Sequence, residues 1–264
     1  MMSLTEIDIA RLAERVETAQ TYGHSIRKLT EDFPEMTVAQ AYTVQTALRR
    51  SLEARGHRVT GWKAGLTSKP KMAQMGVDKP AIGFLTDRMA VAESGSISVG
   101  EMVHPRVECE IGFVLKDALG GAECTAADVH AATDYVIGAI EVIDSRFTGF
   151  KFDLESVICD NSSSARYVVG SRPQYLTDLD LRTVGALLEI NGEIAAMGAG
   201  AEVLNDPAEA IAMVARVLAE MGETLPAGSL VLSGAITAAH AVKPGDHVRA
   251  SFLDLGSVSV SFTE

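Results

Sequence analysis

Two carboxylates stand two residues apart inside an otherwise apolar segment, HPRVECEI at 104–111, and no other feature of the chain restricts its folding so strongly. The segment reads as a strand over 107–115. Alternate strand residues share a face, so Glu108 and Glu110 point the same way. Two carboxylates on one face repel each other and lose hydration unless something positive lies between them. Val107, Ile111, Phe113 and Leu115 argue against a freely solvated strand. A third acid, Glu141, interrupts VIGAIEVID at 136–144, a run that reads as a buried strand. A lone ionised Glu is rarely tolerated in such a place. The Glu-x-Glu pair alone fits a wet strand face better than a metal site, and Glu141 shifts the balance toward a metal, to where spacing alone fits both equally. Three oxygen ligands of this kind suit Mg²⁺ or Mn²⁺ and leave positions for water or substrate.

The surrounding pattern is helical first and strand-rich later. Residues 4–20 carry Leu4, Ile7, Leu12, Val16 and Ala19 at a rough helical period. Thr37 and Gln40 form a capping box for a second helix that Gly56 closes. These define a helical N-terminal section over 1–58, followed by a β-rich, metal-binding catalytic unit over 59–264. GWKAGLT at 61–67 reads as strand and loop, and Thr125 caps a helix running to about Tyr135. YVVG at 167–170 reads as a strand, and LLEINGEIAAM at 187–197 as a hairpin about a type I′ Asn191-Gly192 turn. Asp206-Pro207 opens the last long helix, which Gly222 ends. LVLSG, HVRASFLD and SVSVSF complete the strands, the last two as a hairpin. Strands with few intervening helices are not a doubly wound pattern, so the fold class is α+β.

Charge and cysteine usage exclude several functions. A formal net charge of −12 argues against nucleic-acid binding, which needs clustered Lys and Arg. An anionic substrate would then need a local positive centre. Cys109, Cys124 and Cys159 are odd in number and widely spaced, so neither a disulfide framework nor a zinc site is expected. The start MMSLTEIDIARLAERVE has early acids and no apolar core of a signal peptide. No apolar run approaches the ~20 residues of a membrane helix. The expectation is a cytoplasmic protein with no membrane and no nucleic-acid partner.

Other residues could carry chemistry. Lys63, between glycines in GWKAGLT, could meet a carboxylate or handle a proton, or be a surface lysine in a loop. Asp160, Asn161 and Ser162 follow the apolar VIC, a position typical of a site at a strand end, although a capped turn has the same composition. His104 could support the carboxylates or simply turn the chain before Pro105. Arg146 and Lys151 could hold a substrate carboxylate or lie on the surface. Gly-x-Ser-x-Gly, Walker A and HExxH signatures do not occur.

Taken together, GWKAGLTS, MGVDKPAIGFLTD, HPRVECEI, EVIDSR, DNSSSARYVVG and LSGAITAA, in this order, resemble the hydratase and decarboxylase branch of the fumarylacetoacetate hydrolase superfamily. The resemblance runs from DFPEMTVAQAY at 32–42 to the closing GSVSVSF. The stretches SRFTGFKFDLESVICDN at 145–161 and KMAQMGVDKPAIGFLTD look more like the decarboxylase side, whereas Trp62 looks more like the hydratase side. The resemblance implies a mixed β-sandwich roll with a smaller helical N-terminal section. It implies metal ligands at Glu108, Glu110 and Glu141, an active-site lysine at Lys63, and pocket-lining roles for Asp78, Asp160, Asn161 and Ser162. It also implies a homo-oligomeric, Mg²⁺- or Mn²⁺-dependent carbon–carbon lyase. Its substrate would be a small 2-oxo dicarboxylic acid, and it could form a complex with the hydratase of its pathway.

Overall fold

The computed structural model describes residues 4–68, 72–73 and 80–264. Asp78 lies outside them. Helices α1 (Glu6–Thr21) and α2 (Val38–Ala54) each start at a reciprocal capping box, Thr5 with Asp8 and Thr37 with Gln40. They pack on each other through Leu12, Val16, Val44 and Leu48, all buried. Among the described residues no helix is long and apolar enough to cross a membrane.

Two sheets follow. Strands β1 (Val59–Gly65), β2 (Ala81–Thr86), β4 (Pro105–Leu115), β5 (Thr133–Asp144), β6 (Ser164–Val169) and β9 (Leu230–Leu232) form the larger one, in the order β2-β1-β9-β4-β5-β6. A short strand, β10 (His240–Ala241), adds to β4. The smaller sheet has the order β3-β12-β11-β7-β8, from β3 (Ser96–Ser98), β7 (Gly185–Ile190), β8 (Glu193–Ala199), β11 (His247–Phe252) and β12 (Gly256–Thr263). Its β11 and β12 pack against β5, and one continuous apolar core joins both sheets to the N-terminal helices. This is the expected α+β arrangement. Asn191 and Gly192 both have positive φ, as a type I′ turn requires.

The remaining helices are α3 (Ala126–Ala132), α4 (Leu154–Cys159) and α5 (Pro207–Glu220). Helix α3 stops at Ala132 rather than near Tyr135, because residues from Thr133 onward pair with β4, Thr133 facing Leu115. The apolar VIC before Asp160 is likewise the end of helix α4 and not of a strand. Asp153 caps α4 by accepting from Ser156 N at 2.9 Å. Gln45 on α2 donates to Ile82 O and Ile158 O, at 2.8 and 3.0 Å, and so fixes α4 against β2. The turn that α4 feeds is therefore carried by a rigid support.

Candidate active site

The register of β4 against β5 builds the acidic cluster. Glu108 lies directly opposite Glu141, and Glu110 follows one pleat along on the same face. All three are buried, and one carboxylate oxygen from each lies within 4.8 Å of the others. Lys63 reaches in from β1 across the short strand β9, placing Nζ 2.7 Å from Glu141 Oε2 and 3.1 Å from Ser162 O. Gly234 N donates to Glu110 Oε2 at 2.7 Å. Among the described residues, Glu110 Oε1 and Glu141 Oε1 are buried with no hydrogen-bond donor.

The electrostatics follow from this geometry. Burial pushes the Glu110 carboxyl well above the usual carboxylate range. Glu141 and Glu108 push the same way, and Lys63 opposes them. Glu141 is also raised by burial, against the pull of Lys63. Burial alone would lower the Lys63 ammonium, but Glu141, Glu110 and Glu108 together raise it above its ordinary value. Among the described residues the three carboxylates face one ammonium, Lys63, and buried acceptors on Glu110 and Glu141 stand without donors. A divalent cation held by Glu108, Glu110 and Glu141 fits both features.

The cluster opens onto a cavity of about 440 Å³. Lys63, Thr67, Glu108 and Ser162 form its polar side, while Ile143, Phe150, Phe152 and Val157 form an apolar wall. Arg106 stands at the same cavity. The turn after α4 supplies Ser162 by an unusual route, with Asn161, Ser162 and Ser163 at φ of 52°, 52° and 57°. Left-handed backbone costs a non-glycine residue roughly 1–2 kcal/mol. Asn161 offsets this by pairing like a strand: its Oδ1 accepts from Phe84 N at 2.8 Å and its Nδ2 donates to Phe84 O at 2.9 Å. The approach is close enough that a Cβ at Gly83 would stand 2.6 Å from Asn161 O, so only glycine fits there.

The structure thus gathers Lys63, Glu108, Glu110, Glu141 and Ser162 in one place. It sets Arg146 and Asp160 apart from the cavity lining. Both are fully buried and form an ion pair with each other, and Arg146 also donates to Asp160 O at 2.6 Å and Ser164 O at 3.3 Å. Burial pushes the Asp160 carboxyl up to about 6, with Arg146 pulling the other way. A side chain so committed braces the 160–164 turn and has no free donor face for a substrate. Lys151 points to solvent. Sequence reasoning did not single out the Gly234 amide or Arg106, and it took Phe150 and Phe152 only as part of the FKFDL run that looks like the decarboxylase side. Arg106 carried a signal, since it continues the same-face period of Glu108 and Glu110.

The fold and this site place the chain in the fumarylacetoacetate hydrolase family, to which it belongs: the family's "Fumarylacetoacetate (FAA) hydrolase C-terminal" profile matches residues 57–263. Within the family it is 50% identical to a 4-oxalocrotonate decarboxylase of Pseudomonas putida, over 98% of both chains. A 2-keto-4-pentenoate hydratase of Paraburkholderia xenovorans (strain LB400) is 38% identical over 95% of this chain and 93% of its own. The solved 4-oxalocrotonate decarboxylase from Pseudomonas putida G7, complexed with magnesium and adipate, superposes with a TM-score of 0.97. It is 49% identical and covers 99% of this chain and 100% of that one.

Proposed function

We propose that this protein decarboxylates 4-oxalocrotonate (2-oxohex-3-enedioate) to 2-hydroxypenta-2,4-dienoate and CO₂, with Mg²⁺ or Mn²⁺ as cofactor. The observation that carries this reading is the 50% identity to a decarboxylase over 98% of both chains. In the substrate the distal carboxylate is vinylogous to that of a β-keto acid, so loss of CO₂ moves an electron pair through the alkene toward the 2-oxo oxygen. Held by Glu108, Glu110 and Glu141, the divalent ion supplies, when bound, Lewis-acid charge for that oxygen.

The chain's own residues do the rest. Lys63, with Nζ 2.7 Å from Glu141 Oε2, supplies positive charge at the acidic end of the cavity. Ser162 O and Glu141 fix its position. Ile143, Phe152 and Val157 form an apolar lining that keeps bulk water from the bond that breaks. On this reading the enzyme serves the meta-cleavage catabolism of aromatic compounds, as a cytoplasmic homo-oligomer able to associate with the hydratase that consumes its product. Asp78 is retained in the proposal as a pocket residue.

The test is to incubate the purified protein and Mg²⁺ with 4-oxalocrotonate and, separately, with 2-hydroxypenta-2,4-dienoate. CO₂ release from the first, abolished by EDTA, and little water addition to the second are expected. The hydratase reading, to which Trp62 points, requires the reverse. Conversion of the dienol to 4-hydroxy-2-oxopentanoate without CO₂ release from 4-oxalocrotonate would establish it instead.

A further inference from the structure

The cavity has acids and a metal-compatible cluster at one end, yet the proposed substrate is anionic at both ends. The far carboxylate needs its own cation. Among the described residues, Lys63 is committed to Glu141 and Ser162. Arg146 is locked onto Asp160, and Lys151 faces solvent. Arg106 is different. It lies on β4 with the same-face spacing as Glu108 and Glu110, while Val107, Cys109 and Ile111 point into the core on the other face. Its guanidinium sits 4.2 Å from the centre of the Phe150 ring, and both residues line the cavity. Among the described residues no carboxylate pairs with it.

Phe150 is held for this role. It follows Gly149 in a tight turn with φ of +60°, and its ring is braced by Phe152 at 5.9 Å between centroids. Stacking on an aromatic face leaves the edge of a guanidinium free, and that edge is the fork that matches a carboxylate with two parallel hydrogen bonds. Arg106 lies two residues before Glu108 on the same face of β4, and both residues line the one cavity. From this we infer that Arg106, stacked on Phe150, is the residue that binds the distal carboxylate and makes the site selective for dicarboxylic over monocarboxylic 2-oxo acids. The inference rests on the decarboxylase reading for the identity of the substrate, but its binding test does not.

That test is calorimetry on the Mg²⁺-loaded protein with adipate and with hexanoate, which differ only in the second carboxylate. The wild type should bind adipate more tightly by roughly 10- to 100-fold. Arg106→Met should abolish the preference and leave Mg²⁺ binding and the melting temperature close to wild type. Arg106→Lys, which keeps the charge but loses the fork, should retain part of it. Phe150→Leu should weaken the preference in the same direction, and it serves if the methionine variant fails to fold. In kinetics with 4-oxalocrotonate, Arg106→Met should raise KM by a similar factor and change kcat less. The carboxylate is charged in the ground state and loses that charge as CO₂ departs, so the contact does not strengthen in the transition state. An adipate preference that survives Arg106→Met, or none in the wild type, overturns the inference. An Arg106-dependent preference in a protein that releases no CO₂ upholds it and defeats the decarboxylase reading instead.

Discussion

Individual side chains at this site divide into those that meet the cavity and those that hold the walls. Lys63 belongs to the first group. Lys63→Met should keep the fold and bind Mg²⁺ at least as well, because it removes a cation from beside the ligands. It should lower kcat/KM by roughly 10²-fold or more, measured by CO₂ release. Near-normal turnover would remove Lys63 from the mechanism. Arg146 and Asp160 belong to the second group, each fully buried against the other. Breaking such a pair from one side leaves an uncompensated buried charge, so Arg146→Met and Asp160→Asn should each destabilise by about 3–5 kcal/mol. In urea unfolding the double variant should lose much less than the two losses added together. Simple additivity would show that the pair carries no coupling.

At the level of elements, helix α4 determines whether the cavity wall and the 160–164 turn are in place. Its cap, Asp153, also accepts from Thr30 Oγ1 at 2.6 Å and meets Lys28 Nζ at 3.2 Å. Burial pushes this carboxyl up, but Thr30, Ser156 and Lys28 together outweigh burial and hold it below the ordinary 3.8. A depressed carboxyl stabilises the fold above its unfolded value, and the contribution is lost as pH falls through the folded value. Asp153→Ala should therefore cost about 0.5–2 kcal/mol near neutral pH. The gap to wild type should close as the pH drops below about 4. A gap independent of pH would mean that packing, not the charged cap, is what Asp153 provides.

At the scale of the whole molecule, the smaller sheet has an apolar outer face on its edge hairpin. A register shift in the β7–β8 pairing puts Ile194, opposite Glu189, on the same outward face as Met197, opposite Leu187, whereas Leu188 points into the core. Ile194 and Met197 are 57% and 66% exposed, on an edge strand that has hydrogen-bonding capacity to spare. A second copy of the chain is the occupant that the proposed homo-oligomer supplies. Light scattering should find an oligomer for the wild type and a smaller species for Ile194→Lys/Met197→Glu, with unchanged circular dichroism. An oligomer indifferent to both changes would place the interface elsewhere.

Local rules were enough for much of this protein. The period of two in HPRVECEI put Glu108 and Glu110 on one face, and the apolar run around Glu141 marked its strand as buried, because both are properties of neighbouring residues. Caps at Thr37 and Asp206 and the Asn191-Gly192 turn were legible for the same reason. The sequence could not say which arginine meets the cavity. Arg106 and Arg146 both lie next to apolar strands, and only the position of Asp160 after helix α4 takes Arg146 out of contention. Nor could it show that VIC is helical, since six residues are too few to display a period, or that Gly234 donates to Glu110 from 124 residues away. Those outcomes depend on strand order and on contacts between distant segments. The sequence by itself determined the chemistry the chain can hold, and the tertiary structure decided which of its charges face one another.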